Sequence, residues 1–338
     1  MTASHNSASN PSSPEFAYFK NQFVPIEEAT ISVKTHAFLY GTSIFEGIRG
    51  YWLPEERAIC IFRMREHYQR MMRNSKIFFI HPTHTLEEYL RTTVSLVHKN
   101  QLATDSYIRP TLYKTGNTIG PYMENGITEF CLWTSPLGQY VDINKGLKVC
   151  VSNWRRVDDN AIPPRAKAGG AYMNTALIVT EAKFNGFDEA VVLTHEGTVS
   201  EGSAMNLFLI QNGKLLTPGK TENILEGITR DAVLTLAKQE LGIESIERTI
   251  DRTELYTCDE AFFCGTGAQI APITNFDNRP VGDGEIGPLT RKLQNLYFDV
   301  VKNKRPEYQD WCTVVYLDKS LDENLKRLGL AENLNPVP

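Results

Sequence analysis

The chain has 338 residues, of which 41% are hydrophobic and 22% charged, as is typical of a soluble globular protein with one or two domains. Its formal net charge of −5 at pH 7 excludes nucleic acid as a main partner, because phosphate backbones require clustered Lys and Arg. No apolar run approaches the roughly 20 residues needed to span a bilayer, so we expect no membrane partner. The histidines are spread along the chain, and no metal site is predicted.

The N-terminal residues are rich in Ser, Asn and Pro and contain no apolar segment. This composition matches neither a signal peptide nor a transit peptide, and we predict a disordered tail over residues 1–15. The six cysteines are scattered and form no CxxC pair. We therefore expect reduced thiols in a cytoplasmic protein.

The first half of the ordered chain combines short strands with two helices. Alternation of apolar and polar residues indicates strands, and apolar residues three and four positions apart indicate helices. Strands are predicted at 29–33, 47–52, 107–114 and 130–134, and helices at 65–77 and 86–99. These elements predict a small N-terminal α/β domain over residues 16–137. Gly and Pro residues follow, and we interpret residues 138–146 as an interdomain linker.

The second half is also mixed. Strands are predicted at 147–153, 189–194, 206–211, 214–217, 261–264 and 270–273, and helices at 171–185, 229–241 and 289–302. The segment after Trp311 is left unassigned, apart from a partly helical region at 321–330. Residues 147–338 then form a larger C-terminal domain. Because the chain shows no regular βαβ repeat, the fold class is predicted to be α+β.

Two motifs are misleading. Residues 282–287 fit GxGxxG, but Asp283 and Glu285 would lie where a pyrophosphate should bind, so a turn before a helix is the better interpretation. His195 and Glu196 lack the second His of the zinc-protease motif HExxH. Neither motif predicts function.

Lys167 is the first candidate for chemistry. It is followed by Ala-Gly-Gly, whose small side chains would let a ligand approach the amine closely. A partly desolvated lysine amine is nucleophilic and forms an imine with an aldehyde. Tyr172 follows five residues later, and Glu201 precedes a predicted strand. Each also has a structural interpretation: a surface lysine, a core aromatic residue and a solvated carboxylate.

Two segments are candidate anion sites. Residues 227–231 open a helix, so that free backbone N–H groups and the Thr229 hydroxyl can bind a phosphate. Residues 265–268 form a loop of small residues after a strand, and the N–H groups of such a loop can bind a second anion. A helix cap and a tight turn are the structural alternatives.

Together, six motifs of this sequence resemble the motifs of one known family. They are residues 40–49 (YGTSIFEGIR), 65–70 (REHYQR), 107–110 (YIRP), 167–170 (KAGG), 200–202 (SEG) with 206–208 (NLF), and 227–231 (GITRD). The sequence is similar to the fold-type IV (class IV) aminotransferases that use pyridoxal 5′-phosphate (PLP), and within them to the branched-chain amino-acid aminotransferases. The resemblance implies a C-terminal domain with a barrel-like sheet, a cofactor between the domains, and a homodimer or homohexamer in which a neighbouring subunit closes the pocket.

The resemblance also implies roles at the cofactor. Lys167 would form the Schiff base and carry a proton between Cα and C4′. Tyr172 would contact the O3′ oxygen, and Glu201 would keep the pyridine nitrogen protonated, which makes the ring an electron sink. The phosphate would be held by Arg70, Ile228, Thr229 and Thr266.

At the substrate, the resemblance implies apolar walls for a branched side chain, formed by Tyr40, Phe45 and Tyr140. The α-carboxylate would bind Tyr107 and the backbone of Thr266, Gly267 and Ala268. Arg109 would bind the distal carboxylate of glutamate or 2-oxoglutarate, and Arg49 would lie nearby in a structural or polar role. The small-molecule partners are thus amino acids and 2-oxo acids.

Two departures from the family pattern affect the expected substrate range. Residues 266–269 read TGAQ where the family usually has TAAE, and Gly267 is expected to loosen this loop. Residues 203–206 read SAMN where AGEN is usual. The alternatives are a D-amino-acid or (R)-amine transaminase, a lyase similar to aminodeoxychorismate lyase, and a non-enzymatic PLP-fold binding protein.

Overall fold

The structure is a computed structural model that describes residues 15–116, 119–124, 126–138 and 142–331. The predicted tail over residues 1–14 and the predicted substrate wall at Tyr140 lie outside the described residues. Glu15, at the end of that predicted tail, accepts a hydrogen bond of 2.9 Å from the backbone N–H of Ile26. The six cysteines are unpaired.

The described residues form strands and α-helices in the following chain order. The strands are β1 (Phe16–Phe19), β2 (Gln22–Pro25), β3 (Ser43–Phe45), β4 (Ile48–Leu53), β5 (Ala58–Phe62), β6 (Ser106–Lys114), β7 (Thr128–Pro136), β8 (Leu147–Arg155), β9 (Glu189–Leu193), β10 (Val199–Gly202), β11 (Asn206–Gln211), β12 (Lys214–Pro218), β13 (Ser245–Arg248), β14 (Glu260–Gly265), β15 (Gln269–Phe276), β16 (Arg279–Pro280) and β17 (Cys312–Tyr316). The helices are α1 (His36–Tyr40), α2 (Met64–Ser75), α3 (Leu86–Asn100), α4 (Tyr172–Phe184), α5 (Ile228–Leu241), α6 (Pro288–Val301) and α7 (Leu321–Arg327).

The first sheet is antiparallel, with strand order β17-β5-β4-β6-β7-β1-β2 and β3 paired to β6. Its edge strand β17 comes from the far end of the chain and places Val314 opposite Cys60 of β5. The sequence had assigned this segment to the C-terminal domain. The first sheet is therefore completed by a strand that follows all strands of the second sheet in the chain.

The second sheet has the order β10-β9-β8-β15-β14-β11-β12-β13, with β16 paired to β15. It is mixed: the pairs β8–β9, β8–β15 and β12–β13 are parallel, and the others are antiparallel. One hydrophobic core joins the two sheets, and it includes Tyr51 and Phe62 from the first sheet, Phe208 and Phe262 from the second, and Leu236 of α5. The predicted α+β class is confirmed.

Helix α5 matters most for the site, and its ends follow from two glycines. Gly227 caps its N-terminus in an extended conformation, and a Cβ at this position would overlap the side chain of Asn206. At the other end, Gly242 adopts the left-handed conformation (φ 63°), which costs glycine little. The start of α5 is thereby pressed closely against β11.

One predicted strand is wrong. Residues 29–33 form no strand; a 3₁₀ turn at Ile26–Glu28 precedes an irregular segment. The apolar members of the alternating pattern are on the surface, with Ile31 49% and Val33 73% exposed. Residues 282–287, by contrast, form the expected turn before α6. Among the described helices, none is long and apolar enough to cross a membrane.

Candidate active site

A cavity of about 340 Å³ is lined by residues from both sheets and from the start of α5. It brings together most of the residues predicted for cofactor and substrate. Those that line it are Phe45, Arg70, Tyr107, Arg109, Lys167, Tyr172, Glu201, Ile228, Thr229, Thr266, Gly267 and Ala268. Segments far apart in the sequence thus converge on one cavity.

Lys167 follows a short 3₁₀ turn and has φ 52°, in the left-handed region that residues with a side chain seldom adopt. Such strained residues cluster at functional sites. Its carbonyl accepts a 3.3 Å hydrogen bond from the N–H of Phe45, which fixes the backbone against β3. Its Nζ donates a 2.9 Å hydrogen bond to the hydroxyl of Tyr172, the first residue of α4. The amine is therefore held beside a phenol at the cavity.

Glu201 lies in β10 and is 2% exposed, so it is not a solvated surface charge. Its Oε2 accepts hydrogen bonds from the Asn206 amide (2.9 Å) and the Leu225 N–H (3.2 Å). Its Oε1 lies 2.6 Å from Nη2 of Arg156. Burial raises the pKa of the Glu201 carboxyl, and Arg156 and the Leu225 N–H oppose that rise.

The cavity also meets the N-terminus of α5. The first N–H groups of a helix have no partner within it, and the helix dipole favours an anion there. Thr229, in this first turn, is buried, with 3% exposure. Thr266 lies in the tight turn that joins β14 to β15 and lines the same cavity. Both predicted anion-binding segments therefore border one space.

Arg70 of α2 reaches the same region. Its Nε and Nη2 donate to the two carboxylate oxygens of Glu46 (2.8 and 2.6 Å), and its Nη1 donates to the carbonyl of Glu226 (2.7 Å). A guanidinium has five N–H protons. These contacts use three of them and leave two for an anion at the cavity.

The sequence missed Glu46, although it lies within the motif at residues 40–49. This carboxylate is 1% exposed and also contacts Nδ1 of His67 at 2.8 Å. Burial alone would raise its pKa, but the Arg70 guanidinium and the hydrogen bonds from Arg70 and His67 outweigh burial and lower the pKa to about 2. Glu46 therefore orients Arg70 by a charged pair that is stable at neutral pH.

We expect Glu46→Gln to destabilise the cofactor-free protein at pH 7 by on the order of 3–5 kcal/mol, because it leaves the buried charge of Arg70 without its partner. The pKa of Glu46 is lowered in the folded state, so its contribution is complete above its ordinary value of 4.5 and is lost as the pH falls toward about 2. Urea unfolding at pH 7, 5 and 3 measures the difference in the free energy of unfolding between the wild type and the variant. This difference should narrow only at the lowest pH.

The matched control is Glu87→Gln, which removes an exposed ion pair with Arg65. Exposed pairs contribute little to stability, so this variant should resemble the wild type throughout. A Glu46→Gln effect that is small at pH 7, or that does not narrow between pH 5 and pH 3, would show that Glu46 does not carry this charge.

Arg109 lies among aromatic rings at the wall of the cavity. Its Cζ is 4.0 Å from the ring centre of Phe45 and 5.8 Å from that of Trp133, and its Nε donates to the hydroxyl of Tyr107 (2.9 Å). In the described ranges, no carboxylate forms an ion pair with it. A guanidinium held by rings but not neutralised is available to a carboxylate ligand.

Three predicted substrate residues lie elsewhere or are not described. Arg49 does not line the cavity: it donates to the carbonyls of Gly267 (3.3 Å), Leu137 (3.2 Å) and Gly138 (3.1 Å), and so ties the 266–268 loop to the segment that follows β7. Tyr40 is 39% exposed, and its hydroxyl accepts from the N–H of Gly120. Tyr140 lies outside the described residues.

The sequence also missed Arg156, which lines the cavity and pairs with Glu201. No motif marks it, because its partner is 45 positions away and the two meet only in the folded sheet. In the part of the chain that the structure describes, no group of three His, Cys, Asp or Glu residues is placed to hold a metal ion.

Comparison with known proteins identifies the family. The sequence model of the family described as Amino-transferase class IV matches residues 43–276. The chain therefore belongs to the class IV aminotransferases, a family of PLP enzymes, and is itself a transaminase. Within that family it groups with the branched-chain-amino-acid aminotransferases.

The curated relatives match this chain over nearly their full length. The "Probable branched-chain-amino-acid aminotransferase" of Aquifex aeolicus is 46% identical over 304 residues, which are 90% of this chain and 98% of the relative. The branched-chain-amino-acid aminotransferase of Escherichia coli is 36% identical over 305 residues, 89% of this chain and 97% of the relative.

Solved structures agree in fold. The branched-chain aminotransferase of Thermoproteus uzoniensis with norvaline has a TM-score of 0.86 at 37% identity, over 90% of this chain and all of that one (100%). The enzyme of Thermobaculum terrenum in its PLP form has a TM-score of 0.85 at 38% identity, over 89% and 98% of the two chains. The predicted family and fold type are confirmed.

Proposed function

We propose that the protein reversibly transfers the amino group of L-leucine, L-isoleucine or L-valine to 2-oxoglutarate, with PLP bound through Lys167. The observation that carries the proposal is one cavity in which Lys167 and Tyr172, the buried Glu201, and the anion site at the start of α5 converge. The names of the relatives supply the substrate class.

The residues of the cavity fit this cofactor. PLP supplies an electron sink when it is bound, because its protonated ring withdraws electrons from the substrate. Glu201 would hold the pyridine nitrogen through Oε1, which has no hydrogen bond from the described residues beyond its ion pair. Tyr172 would contact the phenolic oxygen. The phosphate would be held by Arg70, Ile228, Thr229 and Thr266.

Lys167 has two tasks. Its amine would form the link to the aldehyde of the cofactor, and the neighbouring Tyr172 hydroxyl, which accepts a 2.9 Å hydrogen bond from Nζ, holds the amine in position for this. With PLP and substrate bound, Nζ would be the positioned general base and acid that moves a proton between the substrate's Cα and C4′. The hydrogen bond from the N–H of Phe45 to the Lys167 carbonyl holds this part of the backbone against β3.

The substrate pocket must accept both an apolar side chain and a carboxylate, because the two half-reactions share it. Phe45 offers an apolar face, and Ala268 and Gly267 leave space for a carboxylate to reach backbone N–H groups. Arg109, stacked on Phe45, adds a cation at the same wall without a carboxylate partner in the described residues. A branched side chain can lie against the ring, and 2-oxoglutarate can pair with the guanidinium.

A single-turnover assay with the PLP-loaded enzyme tests the substrate class. We expect L-leucine, L-isoleucine and L-valine to convert the bound cofactor to its amino form, and D-alanine and (R)-1-phenylethylamine to react at least about 100-fold more slowly, the factor that about 3 kcal/mol of discrimination produces. Reaction confined to the D or R donors would establish the alternative transaminase. Release of a 2-oxo acid from an elimination substrate without conversion of the cofactor to its amino form would establish the lyase.

The quaternary structure belongs to the same proposal. Ile31, Val33, Phe38, Leu39 and Tyr40 are all exposed apolar or aromatic side chains of one segment of the chain, and such patches are typical of interfaces. We propose that this segment contacts a second copy in a homodimer or homohexamer. Tyr40 would then reach substrate only in a neighbouring subunit. A cytoplasmic location remains a prediction.

A further inference from the structure

Arg156 is a buried cation beside the proposed cofactor site. It follows β8, is 9% exposed and lines the cavity. Its backbone N–H donates to the carbonyl of Leu193 (2.9 Å), and its Nε donates to the carbonyl of Asn223 (3.4 Å). Its Nη2 lies 2.6 Å from Oε1 of Glu201. The guanidinium is therefore fixed from two sides and aimed at a single carboxylate oxygen.

The two oxygens of Glu201 have different surroundings. Oε2 accepts both hydrogen bonds, from Asn206 and from the Leu225 N–H. Oε1 has only the ion pair with Arg156 among the described residues. A carboxylate oxygen has two acceptor sites, so Oε1 keeps one for a ligand in the cavity.

Resting on the proposed function, we propose that Arg156 is a positioning residue for PLP: it keeps Glu201 ionised and oriented so that Oε1 binds the pyridine nitrogen in its protonated form.

The other charges near Glu201 cannot do this once the cofactor is bound. Lys167, Arg230 and Arg156 are the cations that act on this carboxyl. Lys167 would be joined to the cofactor, and Arg230 is paired with Glu247 at 2.7 Å. Arg156 is therefore the cation that offsets the cost of keeping a buried carboxylate charged. A neutral Glu201 would leave the pyridine nitrogen without a charged partner and weaken the electron sink.

The test compares full-length variants of the PLP enzyme. Arg156→Met and Arg156→Gln both remove the charge, and Gln keeps an amide donor. Because two variants remove the charge, the test does not depend on whether the fold tolerates Met at this position. Arg156→Lys keeps the charge. Arg155→Met, at an exposed neighbouring arginine, is the matched control. The two readouts are the PLP dissociation constant and the pH at which the visible band of the cofactor on Lys167 is lost.

We expect Arg156→Met and Arg156→Gln to weaken PLP binding about tenfold and to raise the pH midpoint by about one unit. The midpoint rises because an unprotonated pyridine leaves one positive charge fewer near the protonated Lys167 nitrogen. Arg156→Lys should recover most of both effects, and Arg155→Met should match the wild type. In a Glu201→Gln background, Arg156→Met should cause no further shift, since its effect passes through Glu201.

An equal shift in both backgrounds would mean that Arg156 acts independently of Glu201, and this result would overturn the proposal. Arg156 variants with wild-type affinity and midpoint would overturn it as well. In either case the wild type would still bind PLP, so the proposed function would stand. A wild-type protein that binds no PLP would instead contradict the proposed function itself.

Discussion

Lys167→Ala is expected to abolish the visible absorption of the PLP-loaded protein and to lower its transaminase turnover by at least about 1,000-fold. The variant loses the amine that joins the cofactor and also the base that moves the Cα proton, and positioned acid–base catalysis alone contributes about 10²–10⁴-fold. Absorption spectra and single-turnover rates with L-leucine measure the two losses on the same sample.

Lys238→Ala is the matched control, because Lys238 is an exposed lysine on α5, which also forms the proposed phosphate site. It should keep both the spectrum and the rate of the wild type. PLP should still bind the Lys167→Ala variant non-covalently through the phosphate site. The affinity of this variant for PLP therefore distinguishes a loss of chemistry from a loss of the fold. A Lys167→Ala protein that retains the visible band would show that another lysine carries the cofactor.

Arg109→Ala is expected to lower kcat/KM for 2-oxoglutarate between about 10- and 100-fold, the loss expected for a hydrogen bond to a charged group. The same variant should change kcat/KM for 4-methyl-2-oxopentanoate much less, because that substrate has no distal carboxylate. Steady-state kinetics with the two acceptors measures the ratio directly.

Arg109 also stacks on Phe45, so part of any loss could come from a disturbed ring. Arg109→Met retains apolar contact with the ring and removes the charge together with the hydrogen bond to Tyr107, which makes it the second variant. Equal losses for the two acceptors in both variants would refute selective recognition of the distal carboxylate.

The residues that sequence alone located share one property: their neighbours in the chain reveal them. Lys167 is flanked by small residues, and Thr229 follows the glycine that opens α5. Helix starts and close-approach glycines are local features, which a single sequence can show. The structure adds that these local features border one cavity.

Glu46 and Arg156 were missed because their roles arise from contacts distant in sequence. Glu46 meets Arg70 across 24 positions and Arg156 meets Glu201 across 45, so their burial and pairing are properties of the folded chain. Strand β17 was missed for a similar reason. Its pairing with β5 spans about 250 residues, and nothing in its own sequence selects that partner.

Two predictions concerned segments whose burial or contacts the sequence does not show. Residues 29–33 alternate like a strand, yet Val33 is largely exposed, because alternation alone does not show whether the apolar side chains are buried. Gly267 was expected to loosen the 266–269 loop. In the structure its carbonyl accepts a 3.3 Å hydrogen bond from Arg49, and Gln269 is buried at the start of β15; the loosening by Gly267 stays a prediction. The two residues that depart from the family pattern in this loop, Gly267 and Gln269, are thus held on either side of Ala268.

The most direct test of the central claim is to locate the cofactor on the chain. Borohydride reduction of the PLP-loaded wild type makes the link to lysine permanent, and peptide mass spectrometry then identifies the modified residue. The account predicts one phosphopyridoxyl group, on Lys167, and its loss when excess L-leucine converts the cofactor before reduction. A group on another lysine, no group at all, or labelling unaffected by L-leucine would contradict it.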